Sequence, residues 1–164
     1  MPALAEIAFS DLDEEINSTR RVLERLPNDK LDWKPHAKSN TLGELATHVV
    51  SIVGYEVAAL DTDGLDFSKI APTPPAASRE ALLHTFEKHV ADLRRALAQT
   101  DDEAFERPWT LRVGDHVIFR RPRRIVLRSF GMSHLAHHRG QLTVYLRLLE
   151  VPLPPVYGPT ADER

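Results

Sequence analysis

Four stretches of the chain space their apolar residues three and four positions apart, which is the pattern of an amphipathic α-helix. We predict helices over approximately 4–26, 41–60, 78–98 and 123–150. Pro27 ends the first helix, because proline lacks the N–H that a helix interior needs. Thr41 and Glu44 fit a capping box at the start of the second helix, and Pro122 suits the first turn of the fourth.

The connection between the second and third helices, residues 61–77, contains Pro72, Pro74 and Pro75. A proline-rich chain tends to be extended, at about 3 Å per residue. A segment of this length can therefore run along the ~30 Å of a twenty-residue helix. This predicts that the second and third helices are parallel and joined by a long crossover.

Two further segments lack helical periodicity. Residues 108–119 alternate partly in polarity around Gly114 and Asp115, which indicates either a short hairpin or an irregular excursion. The tail, residues 151–159, contains too many prolines to be helical, but its apolar residues favour packing against the helices. We therefore predict an all-α fold: a four-helix bundle with a long crossover between helices 2 and 3.

Length and charge narrow the class of protein. The 164 residues suit one domain, and no repeat or change in composition divides them, so we predict a single domain over 1–164. The formal net charge of −3 argues against a general affinity for nucleic acid or anionic membranes. No apolar run is long enough to span a membrane, and the N-terminus does not resemble a signal peptide. We expect a cytoplasmic protein.

Cysteine is absent from the sequence. Disulfides, thiolate metal sites and cysteine nucleophiles are therefore excluded. Any metal must be held by nitrogen and oxygen ligands. Any thiol chemistry would require a thiol that arrives as a substrate.

A basic cluster surrounds Pro122, and two interpretations of it stay open. One is a solvated loop or helix start. The other is a docking point for a carboxylate-bearing ligand, because arginine binds carboxylates through two parallel hydrogen bonds. The cluster comprises Arg120, Arg121, Arg123, Arg124 and Arg128.

Histidines carry the candidate chemistry of the chain. His134 and His138 are four residues apart, so they project from the same face of the fourth helix. His48 lies on the apolar face of the second helix. Three imidazoles directed into one core would carry a heavy desolvation cost without a metal. Three protein ligands on a shared divalent ion would leave a coordination position open, as in reactive sites.

Two neighbours of the histidine pair leave alternatives open. His137 is three residues from His134 and is a possible replacement for His138 as a ligand, although a spacing of four favours His138. Gln141 is positioned to hydrogen-bond a ligand imidazole, but it is equally compatible with an ordinary exposed glutamine. The remaining histidines are expected at the surface or its boundary: His36, His84, His89 and His116.

Several motifs together closely resemble the DinB-like superfamily of small bacterial metal-binding bundles. The resemblance covers nearly the whole chain. It is carried by Leu31-Asp32-Trp33-Lys34-Pro35, Thr41-Leu42-Gly43-Glu44-Leu45-Ala46-Thr47-His48, His134-Leu135-Ala136-His137-His138-Arg139-Gly140-Gln141-Leu142 and Pro155-Val156-Tyr157-Gly158-Pro159.

That resemblance implies an up-down-down-up bundle with a divalent metal, commonly zinc or nickel, on His48, His134 and His138. It also implies a homodimer and a thiol-dependent transferase or isomerase. We therefore expect a metal-dependent enzyme that activates a low-molecular-weight thiol and acts on a small-molecule substrate. A metal-dependent hydrolase or isomerase, a non-enzymatic metal-binding stress-response protein and a metal-free interaction module are the alternatives.

Overall fold

The structure, a computed structural model, describes residues 9–163 and is mostly helical. The long helices agree with the predicted ones, except that the beginning predicted for the first helix, from about Leu4, lies outside the described residues. No helix within residues 9–163 is long and apolar enough to cross a bilayer. The helices are α1 (Leu12–Glu24), α2 (Leu42–Asp61), α3 (Arg79–Gln99), α4 (Asp102–Glu106), α5 (Arg123–Val126) and α6 (Ser133–Leu148), with a π-helical segment, Leu127–Met132, between the last two.

Side-chain caps fix where α2 and α3 begin. The Thr41 hydroxyl accepts a hydrogen bond from the Glu44 amide at 3.1 Å, and the Glu44 carboxylate accepts one from the Thr41 amide at 2.7 Å. This confirms the capping box expected from the sequence. Ser78 caps α3 in a similar way through its hydroxyl.

The all-α prediction was wrong, because the chain also forms a three-stranded sheet. Its strands are β1 (Gly64–Asp66), β2 (Pro108–Val113) and β3 (His116–Pro122). β2 and β3 pair antiparallel, which confirms the hairpin among the two alternatives for this segment. Gly114 in the turn has a φ of +57°, a left-handed conformation that favours glycine. β1 comes from the crossover and pairs parallel to β2, in a stretch of three residues that is too short to show a strand pattern.

One apolar core connects the long helices with the sheet. α2 packs against α3 and α6, and α1 packs against the same two helices. Trp109 of β2 is fully buried, and its indole N–H donates to the Thr62 hydroxyl at 3.3 Å. The indole thereby attaches the sheet to the C-terminal end of α2.

Two buried arginines join elements that are distant in the sequence. Arg139 of α6 is 1% exposed and forms an ion pair with the Glu15 carboxylate at 2.7 Å. The same guanidinium contacts the Tyr157 hydroxyl, which confirms that the tail packs against the helices. Arg123 donates to the backbone carbonyls of Ala59 and Thr62, both at 2.9 Å, at the end of α2.

Glu56 is the unusual residue of α2, because its carboxyl group is buried without a hydrogen-bond partner among the described residues. It lies where α2 meets the π-helical segment. A Cβ added to Gly131 would come within 2.1 Å of the Glu56 Oε1 atom. A glycine is therefore required at position 131 for the two helices to approach with Glu56 between them.

The burial of Glu56 predicts a pH-dependent stability. Burial raises the pKa of Glu56 from 4.5 to about 8, so the folded protein binds this proton more tightly than the unfolded chain. The stability associated with Glu56 is therefore complete below the unfolded pKa and is lost as the pH rises toward 8. Since one pKa unit corresponds to about 1.4 kcal/mol, we expect Glu56→Met to stabilise the protein by roughly 3 kcal/mol more at pH 8 than at pH 5.

Denaturant unfolding of the parent and of Glu56→Met, from pH 5 to pH 8, measures this difference. Glu14→Met is the matched control, because Glu14 is exposed on α1. Equal pH slopes for the parent and Glu56→Met would contradict a buried, unpartnered carboxyl group at this position.

Candidate metal centre

The structure brings His48, His134 and His138 together where α2 packs against α6. The Nε2 atom of His134 is 3.3 Å from that of His48 and 2.8 Å from that of His138. One ligand atom from each residue lies within 4.8 Å of the others. The three residues singled out from the sequence therefore form one cluster, half-buried at the helix interface.

The second ring nitrogens of the α6 histidines have their own partners. His134 Nδ1 lies 3.2 Å from the Phe130 carbonyl oxygen, which can only accept a hydrogen bond. His138 Nδ1 lies 2.7 Å from the Gln141 side-chain oxygen. With both Nδ1 atoms donating, each neutral ring directs an Nε2 lone pair into the cluster.

Burial keeps these rings neutral. Burial, together with the neighbouring His138 and His134, lowers the pKa of His48 to about 4. Burial is also the main reason why the pKa values of His134 and His138 lie below 6.5. Near pH 7 the cluster is therefore an arrangement of neutral imidazoles, which is the form that binds metal ions.

The distances between these nitrogens suit a shared divalent cation. Imidazole nitrogens bind zinc at about 2.0–2.1 Å, which places neighbouring ligands of a tetrahedral site ~3.3 Å apart. Because His134 and His138 both donate through Nδ1, their Nε2 lone pairs, 2.8 Å apart, repel one another unless a positive charge lies between them. The donor set therefore fits a metal, and three protein ligands leave at least one coordination position for another molecule.

The neighbouring residues of this cluster occupy distinct positions. His137 is exposed, and its ring packs edge-on against the ring of His138, with 4.7 Å between the ring centroids. The structure therefore does not bring His137 into the cluster. The Gln141 side-chain oxygen contacts His138 Nδ1, so of the two roles that the sequence allows for Gln141 the structure shows the contact with a candidate ligand. His36, His84 and His116 are exposed, as expected, whereas His89 is half-buried and borders a cavity that the sequence did not indicate.

The basic cluster around Pro122 is largely engaged within the chain. Arg123 is buried and binds carbonyl groups, so its role is structural and the docking interpretation is wrong for this residue. Arg124 forms an ion pair with Glu106, and Arg128 forms one with Asp11. Arg121 lies over the Phe119 ring at 5.3 Å.

A cavity of about 360 Å³ opens beside His48. Glu44, Ser51 and Tyr55 of α2 form one wall, and the crossover residues 72–75 form the other. The cavity therefore gives a small molecule access to His48 between α2 and the crossover.

Comparison with known proteins gives consistent matches along the chain. The family model of the DinB superfamily matches residues 11–142. The chain is 27% identical to the uncharacterized protein YrdA of Bacillus subtilis (strain 168) over 156 residues, which span 91% of this chain and 85% of YrdA.

Two solved structures have a similar fold. A DinB-like protein from Bacillus cereus ATCC 10987 matches with a TM-score of 0.71 at 23% identity, covering 92% of this chain and 95% of that one. The DinB-like protein YjoA from Bacillus subtilis matches with a TM-score of 0.67 at 19% identity, covering 96% and 98%. At these identities the likeness supports the fold alone.

The contact between Gln141 and His138 predicts an effect on metal affinity. Gln141→Leu removes the acceptor that orients the His138 ring, and loss of such a partner typically weakens metal binding 10–100-fold. Chelator competition with zinc measures the affinity, and we expect a loss in that range. Gln99→Leu, at an exposed position of α3, is the control. Equal zinc affinities of Gln141→Leu and Gln99→Leu would show that the contact does not orient a ligand.

Proposed function

The chain belongs to the DinB superfamily, and on that premise we propose that His48, His134 and His138 hold one divalent ion, zinc or nickel, in a thiol-dependent transferase. The observation that carries this proposal is the convergence of three Nε2 atoms at the α2–α6 interface. Imidazole ligands suit several divalent metals. Zinc and nickel are the ions expected from the family resemblance.

The chain's own residues position this chemistry. Gln141 and the Phe130 carbonyl hold the α6 imidazoles with their Nε2 atoms directed inward. The cavity between α2 and the crossover gives a small molecule access to the open side of the cluster. A bound divalent cation supplies Lewis acidity there, which lowers the pKa of a coordinated thiol or water.

The family resemblance is the reason for proposing a thiol nucleophile, and because the chain has no cysteine of its own, this thiol arrives as a substrate. In the transfer, the thiol sulfur forms a bond to an electrophilic carbon of the second substrate. The leaving group departs with the bonding electron pair, and the thiol proton passes to solvent. Hydrolysis or isomerisation at the same site is the alternative activity.

A non-enzymatic metal-binding role is the second candidate, and the location of the cluster favours it. A metal shared by α2 and α6 would join two helices that are far apart in the sequence and would stabilise the fold directly. The cavity beside His48 supports the enzyme instead, because a purely structural site has no use for access from solvent.

We also propose that the long helices form an up-down-down-up bundle. Homodimerisation and a cytoplasmic location remain predictions from the sequence. Contacts between elements support this order. The pairs Asp11–Arg128 and Glu15–Arg139 rise together in residue number, so α1 runs parallel to α6 and the segment before it. The pairs Asp13–Arg94 and Arg20–Glu87 run in opposite senses, so α1 and α3 are antiparallel. The pairs His48–His138 and Glu56–Gly131 also run in opposite senses, so α2 and α6 are antiparallel.

A thiol-binding experiment tests this function directly. In the protein loaded with Co²⁺, titration with 2-mercaptoethanol should produce a saturable near-ultraviolet band from sulfur-to-cobalt charge transfer, at about one thiol per cobalt. The alcohol ethylene glycol is the probe without sulfur and should give no band.

His48→Ala should lose the band, because the ion then has two imidazole ligands. His84→Ala, which removes an exposed histidine of α3, should keep it. A cobalt-loaded protein whose spectrum does not respond to thiol would refute the transferase and leave the structural role.

A further inference from the structure

A second cavity lies between α2 and α3, under the proline-rich crossover, and we call it the crossover cavity. Its volume is about 600 Å³, within the range of sites that hold small organic ligands. It adjoins the cavity beside His48, because both share Thr47, Ser51 and Tyr55 of α2 and residues 73–75 of the crossover. The two cavities therefore lie side by side along α2 and the crossover, one beside His48 and the other between α2 and α3.

The walls of the crossover cavity indicate the chemistry of its occupant. Apolar side chains dominate the lining, including Val50, Leu65, Ile70 and Leu82. Among residues 9–163, no aspartate, glutamate, lysine or arginine lines it. A charged group would lose its hydration here without finding a partner. The cavity therefore suits a neutral, mainly apolar molecule.

His89 of α3 adds one directed polar group to this lining. Its Nδ1 atom lies 3.0 Å from the Val50 carbonyl oxygen, so Nδ1 carries the proton and donates. Nε2 then keeps a lone pair, and no hydrogen bond from residues 9–163 reaches it. A ligand hydroxyl or N–H is the complementary group.

Gly54 allows the His89 ring to lie in this position. A Cβ at position 54 would come within 3.0 Å of the His89 Cε1 atom, which is closer than ordinary side-chain contacts allow. A side chain at position 54 would therefore push the imidazole away from α2 by a few tenths of an ångström. Together, Gly54 and the Val50 carbonyl fix the ring with one acceptor nitrogen available.

We propose that the crossover cavity binds the second substrate of the histidine cluster, a neutral and mainly apolar molecule that donates a hydrogen bond to His89 Nε2. The walls shared by the two cavities direct the reactive end of this substrate toward His48. That part of the proposal rests on the proposed function. His89 is a specificity-determining residue in this account, since it contacts the substrate away from the reacting atoms.

Binding of 2-naphthol, a neutral two-ring molecule with one hydroxyl, tests the proposal by isothermal titration calorimetry on the full chain. Ala81→Phe places a ring in the cavity from its exposed edge, and we expect at least about tenfold weaker binding. Ala91→Phe makes the same change at an exposed position of α3 that borders none of the described cavities, and it should not alter binding. Thr85→Phe is a second cavity-filling variant in case Ala81→Phe folds poorly.

A second comparison isolates the hydrogen bond to His89. 2-Methoxynaphthalene has no donor, so the parent should bind it about five- to tenfold more weakly than 2-naphthol. In His89→Phe this preference should fall to about one. Absence of 2-naphthol binding, or equal effects of Ala81→Phe and Ala91→Phe, would overturn the proposal.

Measuring the metal content of each sample separates this proposal from the proposed function. A protein that binds 2-naphthol in the crossover cavity but holds no metal would refute the metal-dependent function alone. A protein that holds one metal per chain but shows no cavity-dependent binding would refute this inference alone.

Discussion

The packing of α2 against α6 is the contact on which the candidate site depends. It places His48 opposite His134 and His138, so that the Nε2 atoms of His48 and His134, from two distant parts of the sequence, lie 3.3 Å apart. Gly131 allows the close approach of these helices, because any side chain there would collide with Glu56. Arg139 holds the other side of α6 against Glu15 of α1. Together these contacts fix both the separation of α6 from its neighbours and its rotation.

The π-helical segment before α6 contributes to that rotation. A π-helical turn contains more residues than an α-helical one, so it changes the angle between residues on its two sides. Residues 127–132 therefore change the direction in which the arginines around Pro122 face relative to the histidines that follow. Arg123 faces the end of α2 and binds its carbonyls, while His134 and His138 face His48. The buried Glu56 lies beside this segment, where its carboxyl group lowers stability because it finds no hydrogen-bond partner in the described part of the chain.

Local features of the structure can be predicted from the sequence, whereas several contacts between distant segments cannot. The capping box at Thr41 and the pairing of His134 with His138 follow from spacing within one helix, and both appear in the structure. The parallel pairing of Gly64–Asp66 with β2 does not follow, because three residues carry no periodicity and the partner is more than forty positions away. The sequence also does not distinguish Arg123, which is buried, from its exposed neighbours, since burial depends on where α2 ends. In the sequence His89 has the pattern of an ordinary boundary residue, because the cavity beside it forms only when the crossover packs over α2 and α3.

The central claim is that the three histidines hold one divalent metal, and metal analysis by inductively coupled plasma mass spectrometry tests it most directly. The untagged protein, after incubation with zinc or nickel and removal of the excess, should contain about one metal per chain. The double variant His134→Ala/His138→Ala should contain none, while the matched variant His84→Ala/His116→Ala, which removes two exposed histidines, should retain it. Equal metal contents in the two double variants, or no metal in the parent protein, would contradict the account.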